Sequence, residues 1–266
     1  HGDEENPTPK DDLGYLFTRM VAGQADHTWC FNRGDRNTTK AFRIAGSMVY
    51  YSPMVFPYWY DDGALASINN PASGMWDDMP TTWDESHMLE AKIEEYATVA
   101  RRSGRRWYLA SISATDHERS VPLTMLDGTQ KYKAEIYTND PSDQTKVLIG
   151  IYCVDADDEL RCAMKSNSGY AVRITPVSEE EAAGLENYEE QMKAAVTLTG
   201  EIEALPGVTV KNLPEVKAQA EAIRTAYDQL GAMEKNAVTN RKKLEDIEAE
   251  IYRLENCPVK MMSVNG

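Results

Sequence analysis

Tyr96-Ala-Thr-Val-Ala-Arg101, Arg106-Trp-Tyr-Leu-Ala-Ser111, Ser120-Val-Pro-Leu-Thr124, Tyr132-Lys-Ala-Glu-Ile-Tyr137, Val147-Leu-Ile-Gly-Ile-Tyr152 and Gly169-Tyr-Ala-Val-Arg-Ile174 decide the fold. Each alternates or runs apolar over five or six residues, the length and patterning of a β-strand. Ser103-Gly104, Asp127-Gly128, Asn139-Asp-Pro141 and Asn167-Ser-Gly169 lie between them and supply turn chemistry. Short strands at this spacing predict an antiparallel β-sandwich.

Upstream, Thr38-Thr39 can cap a helix whose Phe42, Ala45, Met48 and Val49 recur at helical spacing. Its far end is aromatic (Tyr50, Tyr51, Phe56, Tyr58, Trp59 and Tyr60), and Pro53 and Pro57 should kink or end it. A helix this apolar needs cover on more than one side, so it reads as packed against a larger body. Downstream of Pro176 the composition shifts to Glu, Ala, Lys and Leu. Val216, Ala220, Ile223, Tyr227 and Leu230 form one helix seam, and Leu244, Ile247, Ile251 and Leu254 another. Pro206-Gly207 breaks an earlier helix at about 188–205, Pro214 suits a first turn and Gly231 closes it, which predicts a small three-helix bundle. The plain reading of that bundle is a spacer or packing module without chemistry.

Charge narrows the function. The 28 Lys and Arg against 43 Asp and Glu leave a net charge of −15. Nucleic-acid binding and docking on anionic lipid both need clustered cations, so both are excluded as general roles. No apolar run reaches the roughly 18 residues of a spanning helix, so membrane insertion is not expected. The first residue is His1, with no initiator Met and no apolar leader, which suggests a removed leader or a piece of something longer.

Cys153 and Cys162 flank an acidic tip. If the turn centres on Asp157-Asp158 they lie opposite one another, at the roughly 4.5–5.5 Å of paired strand residues, within disulfide range. A bridge and two free thiols both stay open. Cys30 and Cys257 complete the set, without zinc-knuckle spacing, and His1, His27, His87 and His117 are scattered. Walker, GxGxxG and GxSxG motifs are absent. What remains is carboxylates beside aromatic rings: Asp26 near Trp29, Tyr60-Asp61-Asp62, Trp76-Asp77-Asp78 and Trp83-Asp84-Glu85. Paired carboxylates serve glycosidases and rings stack on sugars. In so acidic a chain the same neighbours also arise as turn caps and solvated faces.

Leu16-Phe-Thr-Arg-Met-Val-Ala-Gly23, followed by Asp26 and Thr28, resembles the P-F-T-R-x-L-x-G-P-x-D-Y-T segment of glycoside hydrolase family 97. The resemblance continues in order through Asn37-Thr-Thr-Lys-Ala41, Val49-Tyr-Tyr-Ser-Pro53, Pro80-Thr-Thr-Trp-Asp-Glu85, Glu95 to Gly104, Trp107-Tyr108 and Tyr132 to Tyr137. It spans residues 1 to about 176. It implies a multi-domain α+β chain: the remnant of a (β/α)8 barrel over 1–62, with its final helix at about 38–60, and an oligomerisation-type antiparallel β-sandwich over 63–178. A three-helix bundle over 186–257 follows. The implied parent is an α-glycosidase acting on α-linked oligosaccharides, glucosides or galactosides, and the implied partner is a second copy of the chain.

His1-Gly2-Asp3-Glu4 is similar to the family's R-G-N/D-E, which makes Glu4 the implied catalytic acid, although His1 replaces Arg and Glu5 is adjacent. Asp26 keeps its motif place while Leu16, Gln24 and His27 replace Pro, Pro and Tyr. The opposing carboxylate and the calcium ligands of the parent are expected upstream, so the chain itself is expected to hold no cofactor and to be inactive alone. The helical tail, through Ile202-Glu-Ala-Leu-Pro206, Ala222 to Leu230, Glu234-Lys-Asn236 and Leu244, resembles FIVAR-like repeats of bacterial surface proteins. That implies an exported or cell-surface bacterial protein. The alternative to the enzyme reading is a non-catalytic sandwich and spacer for oligomerisation or surface and glycan attachment.

Overall fold

A computed structural model describes residues 6–34, 36–57 and 70–256. Helix α1 (Pro9–Phe17) opens with a capping box, in which the Thr8 side chain accepts from the Asp11 amide and the Asp11 carboxylate accepts from the Thr8 amide. Strand β1 (His27–Thr28) and helix α2 (Lys40–Val49) follow, with Thr39 as the N-cap of α2, accepting from the Phe42 amide at 3.1 Å. The helix expected to reach about residue 60 instead ends at Val49, because Tyr50 turns extended (φ −70°, ψ 134°) well before Pro53. The chain then returns as β2 (Val55–Phe56), parallel to β1, with His27 opposite Val55 and Thr28 opposite Phe56. Two short parallel strands around a helix make one β-α-β unit and do not amount to a barrel.

After a short helix, α3 (Gly74–Asp77), come the strands β3 (Glu85–Lys92), β4 (Tyr96–Ser103), β5 (Arg106–Ser113), β6 (His117–Pro122), β7 (Lys131–Asn139), β8 (Val147–Val154), β9 (Glu159–Met164) and β10 (Ser168–Val177). Six of them form an antiparallel sheet in the order β3-β4-β5-β10-β7-β8, while β6 and β9 pair separately. Turns sit where the sequence places turn residues: Gly104, in the β4–β5 hairpin, and Asn167, in the crossing from β9 to β10, both take the left-handed conformation. The second sheet is only two strands, so the sandwich is lopsided.

Both faces of the six-stranded sheet are buried along its central strands β4, β5 and β10. Val99, Tyr108, Ala110, Ile112 and Ala171 face α1, α2 and the loop around Trp29, whereas Trp107, Leu109, Ala134, Ile136 and Val172 face β6 and β9. Alternation along each strand separates the two sets, as the period of two requires. Helix α2 lies directly on β10: a Cβ on Gly169 would come within 2.5 Å of the Ala41 carbonyl oxygen.

The hairpin drawn through Cys153 and Cys162 does not form. Cys153 in β8 lies opposite Lys133 of β7, and Cys162 in β9 opposite Arg119 of β6, because the chain crosses between sheets at 155–158. Cys30, Cys153 and Cys162 are buried free thiols. Burial pushes the Cys162 thiol well above its ordinary range, which keeps it inert.

The tail folds as α4 (Glu179–Ala183), α5 (Tyr188–Ala204), α6 (Leu213–Gln229), α7 (Ala232–Ala237) and α8 (Arg241–Asn256). Met192, Leu198, Val216, Ile223, Leu244 and Ile247 share one hydrophobic cluster with Trp107, Leu109 and Val172 of the sheet. Polar ties reinforce the join. The Tyr188 hydroxyl accepts from the Arg161 amide at 3.0 Å, and Asn236 of α7, itself buried, donates to the Asn139 carbonyl at 2.8 Å. The helices therefore cover the sandwich and do not hang from it. Among the described residues no helix is long and apolar enough to cross a membrane.

Candidate functional site

The β1–α2 connection carries the densest buried polar chemistry. Arg43, on the first turn of α2, is buried, and its guanidinium donates to the carbonyls of Cys30 (3.2 Å), Phe31 (2.8 Å), Arg33 (2.9 Å) and Thr38 (2.5 Å). One planar cation thus satisfies four backbone acceptors and fixes the loop after β1. Cys30 sits in the left-handed region (φ 50°), and Arg36 donates to its sulfur at 2.8 Å. In β/α folds the loop after a strand is where ligands are met.

Beneath this loop lie Asp12, His27, Trp29 and Tyr50. The Tyr50 hydroxyl donates to the Asp12 carbonyl at 2.8 Å and lies 3.4 Å from its carboxylate, with His27 Nε2 at 3.7 Å. Burial raises the Asp12 carboxyl to about 7, against the lowering effect of the Tyr50 hydrogen bond and of Arg36. Burial first and Arg36 second lower His27 to about 4. At neutral pH His27 is therefore neutral and Asp12 about half protonated, so the two do not form a full ion pair. Asp12 has the pKa of an acid catalyst, yet it is 2% exposed, so no substrate reaches it; it holds α1 against Tyr50.

The residues singled out in the sequence are dispersed. Glu4 lies outside the described residues, as do Tyr60, Asp61 and Asp62. Asp26 is exposed at the entrance to β1. Asp84 accepts from the Gly104 amide at 2.7 Å, and Glu85 pairs with Arg102 at 2.5 Å, so these two carboxylates clamp the β4–β5 turn. Asp78 pairs with Arg106 at 3.4 Å. The aromatic neighbours serve structure as well: Trp76 donates to Ser47 at 2.9 Å, and Trp83 meets Tyr108 edge to face at 5.1 Å. A cavity of about 140 Å³ lies between α2 and Trp76, Met79 and Trp83, but its hydroxyl Ser47 is already bonded to Trp76 and to the Ile44 carbonyl.

A second polar cluster was not legible in the sequence. Glu90 of β3 accepts from Thr98 (3.0 Å) and Arg119 (2.9 Å), and lies 2.8 Å from His117, whose ring stacks on Tyr96 at 3.9 Å. It ties β3 to the small sheet and holds no second carboxylate. Among the described residues no group of three or more His, Cys, Asp or Glu converges to hold a metal ion. The carboxylates that do share a cavity, Glu221, Glu248 and Glu255 between α6 and α8, are paired with Lys217 and Arg224.

Comparison with known proteins supplies what this geometry lacks. Residues 82–175 match the family described as Glycosyl-hydrolase 97 C-terminal, oligomerisation. The chain is 26% identical over 185 residues to a retaining alpha-galactosidase of Bacteroides thetaiotaomicron, covering 62% of this chain and 27% of that protein. It is 30% identical over 138 residues to a probable retaining alpha-galactosidase of Streptomyces bingchenggensis, covering 48% of this chain and 21% of the relative. A glycoside hydrolase family 97 enzyme from Pseudoalteromonas sp. strain K8, solved with acarbose, superposes with a TM-score of 0.57 at 25% identity, over 64% of this chain and 29% of that enzyme. The chain thus spans less than a third of the length of these relatives. It contains a family 97 C-terminal domain and is related to retaining α-galactosidases.

Proposed function

We propose that this chain is the C-terminal part of an exported bacterial α-glycosidase of glycoside hydrolase family 97, acting on α-galactosides or α-glucosides. The observation that carries the proposal is order: the β1–α2–β2 unit precedes the matched domain at 82–175, and similarity to the α-galactosidase of B. thetaiotaomicron extends over 185 residues, beyond that domain. On this reading residues 1–62 end a (β/α)8 barrel. The exposure of Val21, Tyr51, Met54 and Phe56 around β1 and β2 supports it, since these side chains suit cover by further barrel elements.

Glu4 would be the general acid that protonates the leaving glycosidic oxygen. Its partner carboxylate and the calcium ligands belong to the upstream part. The α-galactosidase of B. thetaiotaomicron is a retaining enzyme, and retention in general requires the two carboxyl groups about 5–5.5 Å apart and a covalent glycosyl-enzyme. The sandwich would serve oligomerisation with a second copy, and the tail, as a FIVAR-like unit, would hold the enzyme at the cell surface. Because one carboxylate without its partner loses nearly all catalysis, the 266-residue chain alone is inactive. Hydrolysis of p-nitrophenyl α-galactoside and α-glucoside tests this: the complete reading frame cleaves one of them and the isolated chain neither. Turnover by the isolated chain, or by neither protein, overturns the proposal.

A further inference from the structure

We propose that the outer edge of β3 is a two-fold interface on which two copies of this chain pair strand to strand, antiparallel. The inference rests on the homo-oligomer part of the reading above and gives it a surface; it is independent of the glycosidase part. β3 is the first strand of the six-stranded sheet, and among the described residues no strand bonds to its outer edge. Met88 is 53%, Leu89 37% and Ile93 58% exposed, an apolar cluster on a strand edge that otherwise alternates with charge. A long edge bearing such residues is a template for a further strand.

The register follows from a bulge. Met88 lies opposite Val99 but Glu90 opposite Thr98, so Leu89 is one extra residue. In a regular strand a two-fold axis perpendicular to the sheet can place a residue only against one of the same parity. The bulge shifts that parity between the two halves of β3. Ser86 and Ala91 both lie opposite residues of the Val99 face (Arg101 and Ala97), and Glu85 and Lys92 both lie opposite residues of the other face (Arg102 and Tyr96). With the axis between Met88 and Leu89, Glu85 meets the partner's Lys92, Ser86 the partner's Ala91, and Met88 the partner's Leu89.

That register is self-complementary. Glu85 and Lys92 have side chains 42% and 59% exposed and pair within the chain with Arg102 and Glu95; across the two-fold axis each also faces an opposite charge, at the two ends. Small Ser86 and Ala91 admit close approach, and the apolar residues fill the centre. A bulge normally protects an edge against addition of a regular strand, and only a strand with the same bulge in the reversed position matches this one. The second copy is such a strand.

The test uses the 266-residue chain carrying Cys257→Ser, with Ser86→Cys and Ala91→Cys added together. Within one chain these positions lie about 15 Å apart along the strand, beyond the roughly 7 Å limit for a disulfide, so any bridge between them joins two chains. The expected result is a sedimentation mass of twice 29.8 kDa for the parent chain, and a non-reducing-gel dimer for the paired variant but not for Ser86→Cys with Lys92→Cys, which face opposite sides. Met88→Lys with Leu89→Lys should raise the dissociation midpoint at least about tenfold while leaving the melting temperature of the monomer in place. A monomer at every concentration overturns both the homo-oligomer and the interface. A dimer that neither cross-links at 86 and 91 nor responds to the lysines overturns the β3 interface alone. Hydrolysis by the complete reading frame is unaffected by either result.

Discussion

The two covers of the six-stranded sheet are built differently. On the Val99 face the cover is α1, α2 and the β1 loop, which pack Leu13, Phe42 and Met48 inward but leave Val21, Tyr51, Met54 and Phe56 exposed, and which bury Asp12 and Arg43. On the Trp107 face the cover is β6, β9 and the helical tail, whose apolar seams are spent on the sheet and on one another. The first cover leaves these four large apolar side chains exposed around β1 and β2; the second leaves Val210 and Tyr252 exposed and buries Arg241. The exposed side chains of the first cover gather where the proposed barrel would continue.

The sharpest way to break this comparison is Leu244→Ala. Leu244 is fully buried where α8 meets the common cluster, and the cavity should cost about 3–4 kcal/mol. Because the core is shared, thermal unfolding followed by far-UV and near-UV circular dichroism should shift as one transition; a helix transition moving alone would separate tail from sandwich. On the other cover, Gly169→Ala pushes a Cβ into the α2 backbone, which cannot swing aside as a side chain would, and should cost about 2–3 kcal/mol by urea denaturation. An effect under about 0.5 kcal/mol would mean that α2 is loosely attached.

Asn236→Ala should cost about 1–2 kcal/mol, since it leaves the Asn139 carbonyl without its donor from α7. A dependence on pH comes from Asp12 and His27, which partly offset one another. Asp12 is raised from 3.8 to about 7, so the folded chain binds the proton more tightly and this group's contribution to stability falls as pH rises from about 4 to about 7. His27, lowered from 6.5 to about 4, acts in the opposite direction between about 4 and 6.5. Asp12→Asn removes the first dependence. Its melting temperature relative to the parent should therefore be higher at pH 8 than at pH 5, and an unchanged difference would show that Asp12 is not held protonated.

How much of this was legible in the sequence depends on the face a residue occupies. Six strands were legible because alternation or an apolar run marks strands buried on one or both faces, as in β5 and β7. β3 was not, because it is exposed at nearly every position and its bulge erases the period. The seams of α6 and α8 were legible from their spacing and α5 from the Pro206-Gly207 break that ends it, but the short α7 has no room for a period. The Cys153–Cys162 hairpin failed because local turn chemistry cannot tell a return within one sheet from a crossing to another. Of the carboxylate and aromatic neighbours, Asp84 and Glu85 proved to be turn clamps and Trp76 and Trp83 packing. Asp12 and Glu90 had no signal, since what makes them unusual is burial and partners distant in the chain.

The central claim is that the β1–α2–β2 unit completes a family 97 catalytic barrel whose acid is Glu4. The measurement that tests it most directly is hydrolysis of p-nitrophenyl α-galactoside and α-glucoside by the complete protein with and without Glu4→Gln. The account predicts a loss of about 10²–10⁴-fold in turnover with the melting temperature unchanged. Activity within about twofold of the parent would contradict it.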